Sequence, residues 1–217
     1  MFAIIAPEKI HLPPGTVVKL PGNWQDYQAL VEQLGDRQIP RIKYRPGEIL
    51  LMSPLPVHGR QSHIIAMVAI VLLDYLEIDY EAFTPITIDL PEVRGVEPDY
   101  CFYIDNYPAI VGKDRIAWGI EPPPDLVIEI DVTSYTDVDD YLPYQIPEVW
   151  LFKKNRLIIY SWQDRRYIES LTSRYLPNFN VVEIVGECWQ MLRDRSTSVV
   201  IRELRQKLEK EHQSPIS

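Results

Sequence analysis

Pro124-Asp125-Leu126-Val127-Ile128-Glu129-Ile130-Asp131-Val132-Thr133 is the stretch on which the reading of this chain turns. Side chains alternate across a strand. Leu126, Ile128, Ile130 and Val132 therefore point one way, and Asp125, Val127, Glu129, Asp131 and Thr133 the other. Carboxylates thus line one side of a segment otherwise composed for a core. Residues two apart on a strand lie roughly 6.5–7 Å apart. Buried like charges at that spacing are unfavourable unless a cation or a proton relieves them. A second such stretch, Glu97-Pro98-Asp99-Tyr100-Cys101-Phe102-Tyr103-Ile104, lies upstream. The two together predict one acidic, metal-binding edge.

Around this strand the chain reads as a layered α/β (α+β) domain. Residues 1–22 are proline-rich and read as an irregular arm. Asn23 caps a predicted helix from Trp24 to about Leu34, stopped by Gly35. Arg41 to Met52 reads as a hairpin turning at Pro46-Gly47. A helix follows from about His58 to Leu76. It is apolar nearly all round between Ile64 and Leu73, which predicts burial on more than one side. Strands are predicted at 80–83, 85–90 and 99–104, then at 148–152, 157–162 and 167–171. The segment 137–145 is weakly helical, Lys153-Lys154-Asn155-Arg156 reads as a solvated hairpin turn, 181–185 is a short apolar stretch, and a last helix starts near Ser198. The organisation is an arm (1–22), one domain (23–195) and a C-terminal helix and tail (196–217).

Composition narrows the function. At 217 residues and 46% hydrophobic, the chain is long and apolar enough for one sizeable core. Two cysteines without metal-like spacing predict a reducing cytoplasm. The longest apolar run, Ile64 to Leu73, is about half of a bilayer span, so no membrane association is expected. A net charge of -9 lowers the expectation of tight, nonspecific duplex binding.

Glu97, Asp99, Glu129 and Asp131 are hard oxygen donors suited to magnesium or manganese. Such an ion polarises a phosphodiester and lowers the pKa of an attacking water. The plainer alternative is that these acids sit at strand ends and in polar turns. His58, near a helix start, either faces the same site as a polar helper or simply occupies the first helical turn. Cys101 reads as an inert core thiol. No nucleophile elbow, P-loop or dinucleotide-binding glycine pattern occurs.

Several motifs recur together. Tyr44-x-x-Gly47-x-Ile49-Leu50-x-Met52-Ser53-Pro54 precedes His58. Gly95-Val96-Glu97-Pro98-Asp99 and Pro122-Pro123-Pro124-Asp125 through Ser134 follow, then Ile146-Pro147-Glu148-Val149-Trp150. In this order they resemble the family of restriction-endonuclease-like proteins of unknown function, within the PD-(D/E)xK nuclease superfamily. The resemblance spans residues 24–190. It implies a mixed central sheet flanked by helices, and a magnesium- or manganese-dependent site that hydrolyses DNA phosphodiester bonds. In that site Asp99 and Glu129 match the two motif acids, Asp131 stands where lysine is usual, and Glu97 and His58 match further polar positions. It also implies a homodimer.

Two departures stand out. Relatives often carry a glutamate before the Met-Ser-Pro, where this chain has Leu50. They also tend to have a basic residue after the Thr-Ser, whereas 135–145 contains none. The missing cation would orient a nucleophile or offset transition-state charge; Lys153 either substitutes for it from the neighbouring strand or belongs to the solvated turn. The resemblance therefore implies either a metal-dependent nuclease or a catalytically weakened relative that acts as a binding or self-association module.

Overall fold

The period-two strand pattern is realised in two sheets. A computed structural model of the chain describes residues 12–35, 40–131 and 136–213. Val132 and Thr133, which end the opening stretch, lie outside the described residues, as do Ser134, residues 1–11 of the arm and the tail beyond 213. The first sheet is antiparallel throughout, in the order β1 (Val17–Gly22), β3 (Gly47–Met52), β2 (Arg41–Arg45), β6 (Arg94–Val96), β5 (Ile88–Leu90). The second is mixed, in the order β11 (Arg166–Ser170), β10 (Arg156–Gln163), β9 (Glu148–Lys153), β8 (Leu126–Asp131), β7 (Tyr100–Tyr103), β4 (Glu81–Phe83). Its parallel pair is β8 with β9, joined by a crossover containing the 3-10 segment Val138–Tyr144.

The α+β class holds, and the predicted mixed sheet flanked by helices is the second sheet. On its helical side Leu126, Ile128 and Ile130 pack against α2 (Pro56–Tyr75), α3 (Val181–Met191) and α4 (Thr197–Gln213). α2 is the centre of this layer. By length and composition alone it would cross a bilayer, yet it is packed into the core, with Ile65, Val68, Ala69, Leu72 and Leu73 fully buried. Truncating one of these, such as Leu72, would cost about 2–5 kcal/mol. On the other side of the sheet, Val127, Cys101, Tyr103 and Val149 share a cluster with Ile88 and Val96 of the first sheet.

The outer face of the first sheet is covered by α1 (Trp24–Leu34). Trp24, Tyr27 and Leu34 meet Ile42, Tyr44, Ile49 and Leu51 there. Asn23 and Asp26 form a reciprocal capping box at its start. Gly35 ends it at φ 55, returning its N–H to the Val31 carbonyl. Gly95 is glycine for want of space: an added Cβ would lie 2.5 Å from Tyr27 Oη and 2.8 Å from Asp89 Oδ1. Tyr27 donates to that same Asp89 oxygen at 2.7 Å.

Three local readings are corrected. Residues 17–22, read as irregular, form the edge strand β1, paired from Val17↔Met52 to Gly22↔Gly47. Pro21 is tolerated there because an edge strand needs ladder donors on one side only. Pro91-Glu92-Val93-Arg94-Gly95 reads as a turn in sequence, and its last two residues instead open β6. The apolar stretch 181–185 is the first half of α3, which Asn180 caps through Glu183 N–H.

Candidate active centre between the two sheets

Strand alternation also governs β2. Ile42 and Tyr44 face α1, so Arg41, Lys43 and Arg45 face the second sheet. On β8, Glu129 and Asp131 share the Val127 side and face the first sheet. A row of cations thus meets a row of acids inside the protein.

Each acid meets at least one cation. Arg41 Nη1 donates to Asp99 Oδ1. Lys43 Nζ donates to Glu129 Oε1 at 2.7 Å. Arg45 grips Asp140 with two hydrogen bonds, Nε to Oδ1 at 2.7 Å and Nη2 to Oδ2 at 2.6 Å. Arg94 adds a third to Asp140 at 3.2 Å. From the strand alongside, Lys153 Nζ lies 2.6 Å from Asp131 Oδ2. The flanking groups complete the network. His58 Nε2 stands 2.6 Å from Asp99 Oδ1, and Ile130 N–H donates to Asp99 Oδ2 at 2.8 Å. Tyr141 Oη donates to Glu129 Oε1 at 2.5 Å.

Burial makes these contacts matter. Side-chain exposure is 0% for Asp99, 3% for Glu129 and 9% for Lys43. Burial alone would raise the Asp99 carboxyl, but His58 and Arg41 outweigh it and hold it below the usual carboxylate range. Glu129 is pushed up, first by burial and further by Asp99, with Lys43 and Tyr141 opposing. Burial pulls the Lys43 ammonium down, and the Glu129 charge and hydrogen bond more than restore it, so Lys43 stays charged.

The sequence-predicted residues are therefore brought together in part. Asp99, Glu129 and His58 converge between the sheets. Asp131 shares their face but is turned to Lys153. Glu97 accepts long contacts from Ile42 N–H at 3.4 Å and Thr87 Oγ1 at 3.2 Å, bracing β2. Asp125, the remaining acid of the opening stretch, accepts from Ile104 N–H, Asn106 N–H and the Asn106 amide, which ties down the loop after β7.

A divalent ion does not fit this arrangement. The oxygen donors have the right chemistry, but cations already hold the carboxylates: Arg41 stands on Asp99 and Lys43 on Glu129. Asp99 uses both oxygens, and Glu129 Oε1 accepts two donors. Among the described residues no three acid, histidine or cysteine side chains gather as a ligand set. The adjoining cleft, lined by Val17, Arg41, Lys43, Leu50, Met52 and Thr136, has room of about 20 Å³, enough for a single water. Leu50 stands opposite Lys43 in the hairpin and walls this cleft with carbon.

The sequence leaves open whether a lysine or arginine elsewhere approaches the acids, and several do. The segment after Thr133 supplies none, and the first sheet supplies Arg41, Lys43 and Arg45 instead. Lys153, read as part of a solvated turn, is the last residue of β9, level with Asp131.

Two sheets sharing a charged centre, with helices over the mixed sheet, define a restriction-endonuclease-like fold. The chain belongs to the Uma2 family, described as putative restriction endonucleases, whose family model matches residues 24–194. Its fold is similar to that of a putative nuclease belonging to DUF820 from Anabaena variabilis. That similarity has a TM-score of 0.50 at 16% identity and covers 76% of this chain and 99% of the other. No curated protein sequence matches it.

Proposed function

We propose that this chain is a nuclease-family protein whose acidic centre has become an internal ion-pair zipper, and that it works by association rather than by cutting. The observation that carries this reading is the closure of Asp99, Glu129 and Asp131 by Arg41, Lys43 and Lys153, and of Asp140 by Arg45 and Arg94. Carboxylates closed in this way have no free charge to offer an ion, and at 0–4% side-chain exposure they present none to a phosphodiester. The partner classes are DNA, as the family implies, and a second copy of the chain as a homodimer. Cys101 and Cys188 are both free and buried, in keeping with a cytoplasmic setting.

The test is incubation of pure protein with plasmid and single-stranded DNA in magnesium or manganese, alongside sedimentation with and without DNA. The zipper reading expects intact DNA and a self-associated or DNA-bound species. DNA cut by the native protein and spared by an Asp99→Ala/Glu129→Ala variant would overturn it.

One observation favours a second reading, in which the chain is a magnesium- or manganese-dependent nuclease acting on DNA through Asp99, Glu129, Asp131 and Glu97, with His58 alongside. Two acids and a lysine, Asp99, Glu129 and Lys43, do meet at one place. This reading requires Arg41 and Lys43 to leave their carboxylates before an ion enters.

A further inference from the structure

We infer that the Lys43 ammonium occupies the place of a divalent ion beside Glu129, so that the centre is metal-free by construction and Lys43 is the side chain that keeps an ion off Glu129. The inference rests on the zipper reading above and goes beyond it by assigning the exclusion of metal to one side chain.

The geometry singles out Lys43. Arg41 closes Asp99 jointly with His58 and the Ile130 N–H, and Arg45 shares Asp140 with Arg94. Among the described residues Glu129 has one cation in contact, Lys43 at 2.7 Å, with Tyr141 as its neutral second donor. Lys43 lies centrally on β2, between Arg41 and Arg45. The field of Asp99 and Asp140 acts on it in addition to that of Glu129. A compact ammonium with three N–H donors among several carboxylates is the closest a side chain comes to a small hard cation. Its stem rises from the strand beside Leu50, so the ammonium is delivered through an apolar wall.

Removing the positive charge alone leaves Glu129 buried beside Asp99 with no counter-charge. Two outcomes relieve it: a proton or an external cation. Carboxylate oxygens in that position take manganese or magnesium. Lys43→Gln should therefore create metal binding where the native chain has none. Lys43→Arg keeps the charge and should remain metal-blind. The Lys43→Gln/Glu129→Gln double variant removes both charges and should also be metal-blind.

The experiment uses the full chain and manganese ion as the probe. Binding is followed by electron paramagnetic resonance of free manganese, and thermal unfolding is recorded in EDTA and in millimolar manganese. The native chain is expected to hold no ion at this centre and to melt at the same temperature in both buffers. Lys43→Gln is expected to bind manganese and melt about 5 °C higher with it, an increment the double variant loses. Native binding that Glu129→Gln abolishes overturns the inference, even if the native chain leaves DNA uncut. A folded Lys43→Gln protein blind to manganese overturns it as well. Should Lys43→Gln fail to fold, the native titration still decides. DNA cutting by the native chain, read separately, counts against the zipper reading itself.

Discussion

Replacing Lys43 by methionine probes the zipper at its centre. Exposed ion pairs are worth about 0–1 kcal/mol. This pair is nearly dry, with side-chain exposures of 9% and 3%, so removing one partner leaves an uncompensated buried carboxylate, a loss of about 3–5 kcal/mol. Glu129 limits that loss by taking up a proton, which its raised pKa already favours. The sign follows. A carboxyl whose folded pKa lies above its unfolded value binds the proton more tightly in the native state. Stability then falls as pH rises from the unfolded value near 4.5 up through the folded one. Lys43→Met should therefore be mild at pH 5 and severe at pH 8. In urea, with a slope of about 2–3 kcal/mol per molar for a chain of this size, the midpoint at pH 8 drops by about 1–2 M. Tryptophan fluorescence follows the transition. Adding Glu129→Leu should recover most of the loss, because removing both members of a buried pair is close to neutral, and the cycle should return a coupling of about 2–3 kcal/mol. A single-variant cost under about 1 kcal/mol, or a double variant no better than the sum of its parts, would refute the buried-zipper reasoning.

The remaining expectations concern neighbouring parts of the structure. The Asp99 carboxyl lies below its ordinary value of 3.8, so its contribution is present above that pH and lost as pH falls through its folded pKa. Asp99→Asn should lower the melting temperature at pH 6 and flatten its acid limb below the ordinary carboxyl value of 3.8, as calorimetry through that limb would record; an unchanged acid limb would contradict the assignment. Gly95→Ala should cost about 1–3 kcal/mol by driving Tyr27 off Asp89. Chemical denaturation measures it, and a neutral result would mean that α1 shifts freely on the first sheet.

Much of the fold was legible because it depends on period. The alternation of β8, the apolar circumference of α2 and the helix cap at Asn23 are local signals, and each is realised where the sequence puts it. The site was legible by half. Its acids stand out because carboxylates in an apolar strand are conspicuous. Its cations do not, since Arg41-Ile42-Lys43-Tyr44-Arg45 alternates like any hairpin with one wet face. Only the stacking of the two sheets turns that face inward, and stacking has no signature within a few residues. Lys153 was legible only as an alternative: it lies next to a turn in sequence, and the parallel pairing of β9 on β8 sets it level with Asp131. Asp140 sat unnoticed in a polar run because its importance comes from Arg45 and Arg94, both distant in sequence.

The most direct test of the zipper is a crystal of the native chain soaked in manganese, with data collected at a wavelength where manganese scatters anomalously. The prediction is no anomalous peak among Asp99, Glu129 and Asp131, with Lys43 Nζ still in contact with Glu129. A manganese ion bound by Glu129 and Asp99, with Lys43 swung away, would contradict it.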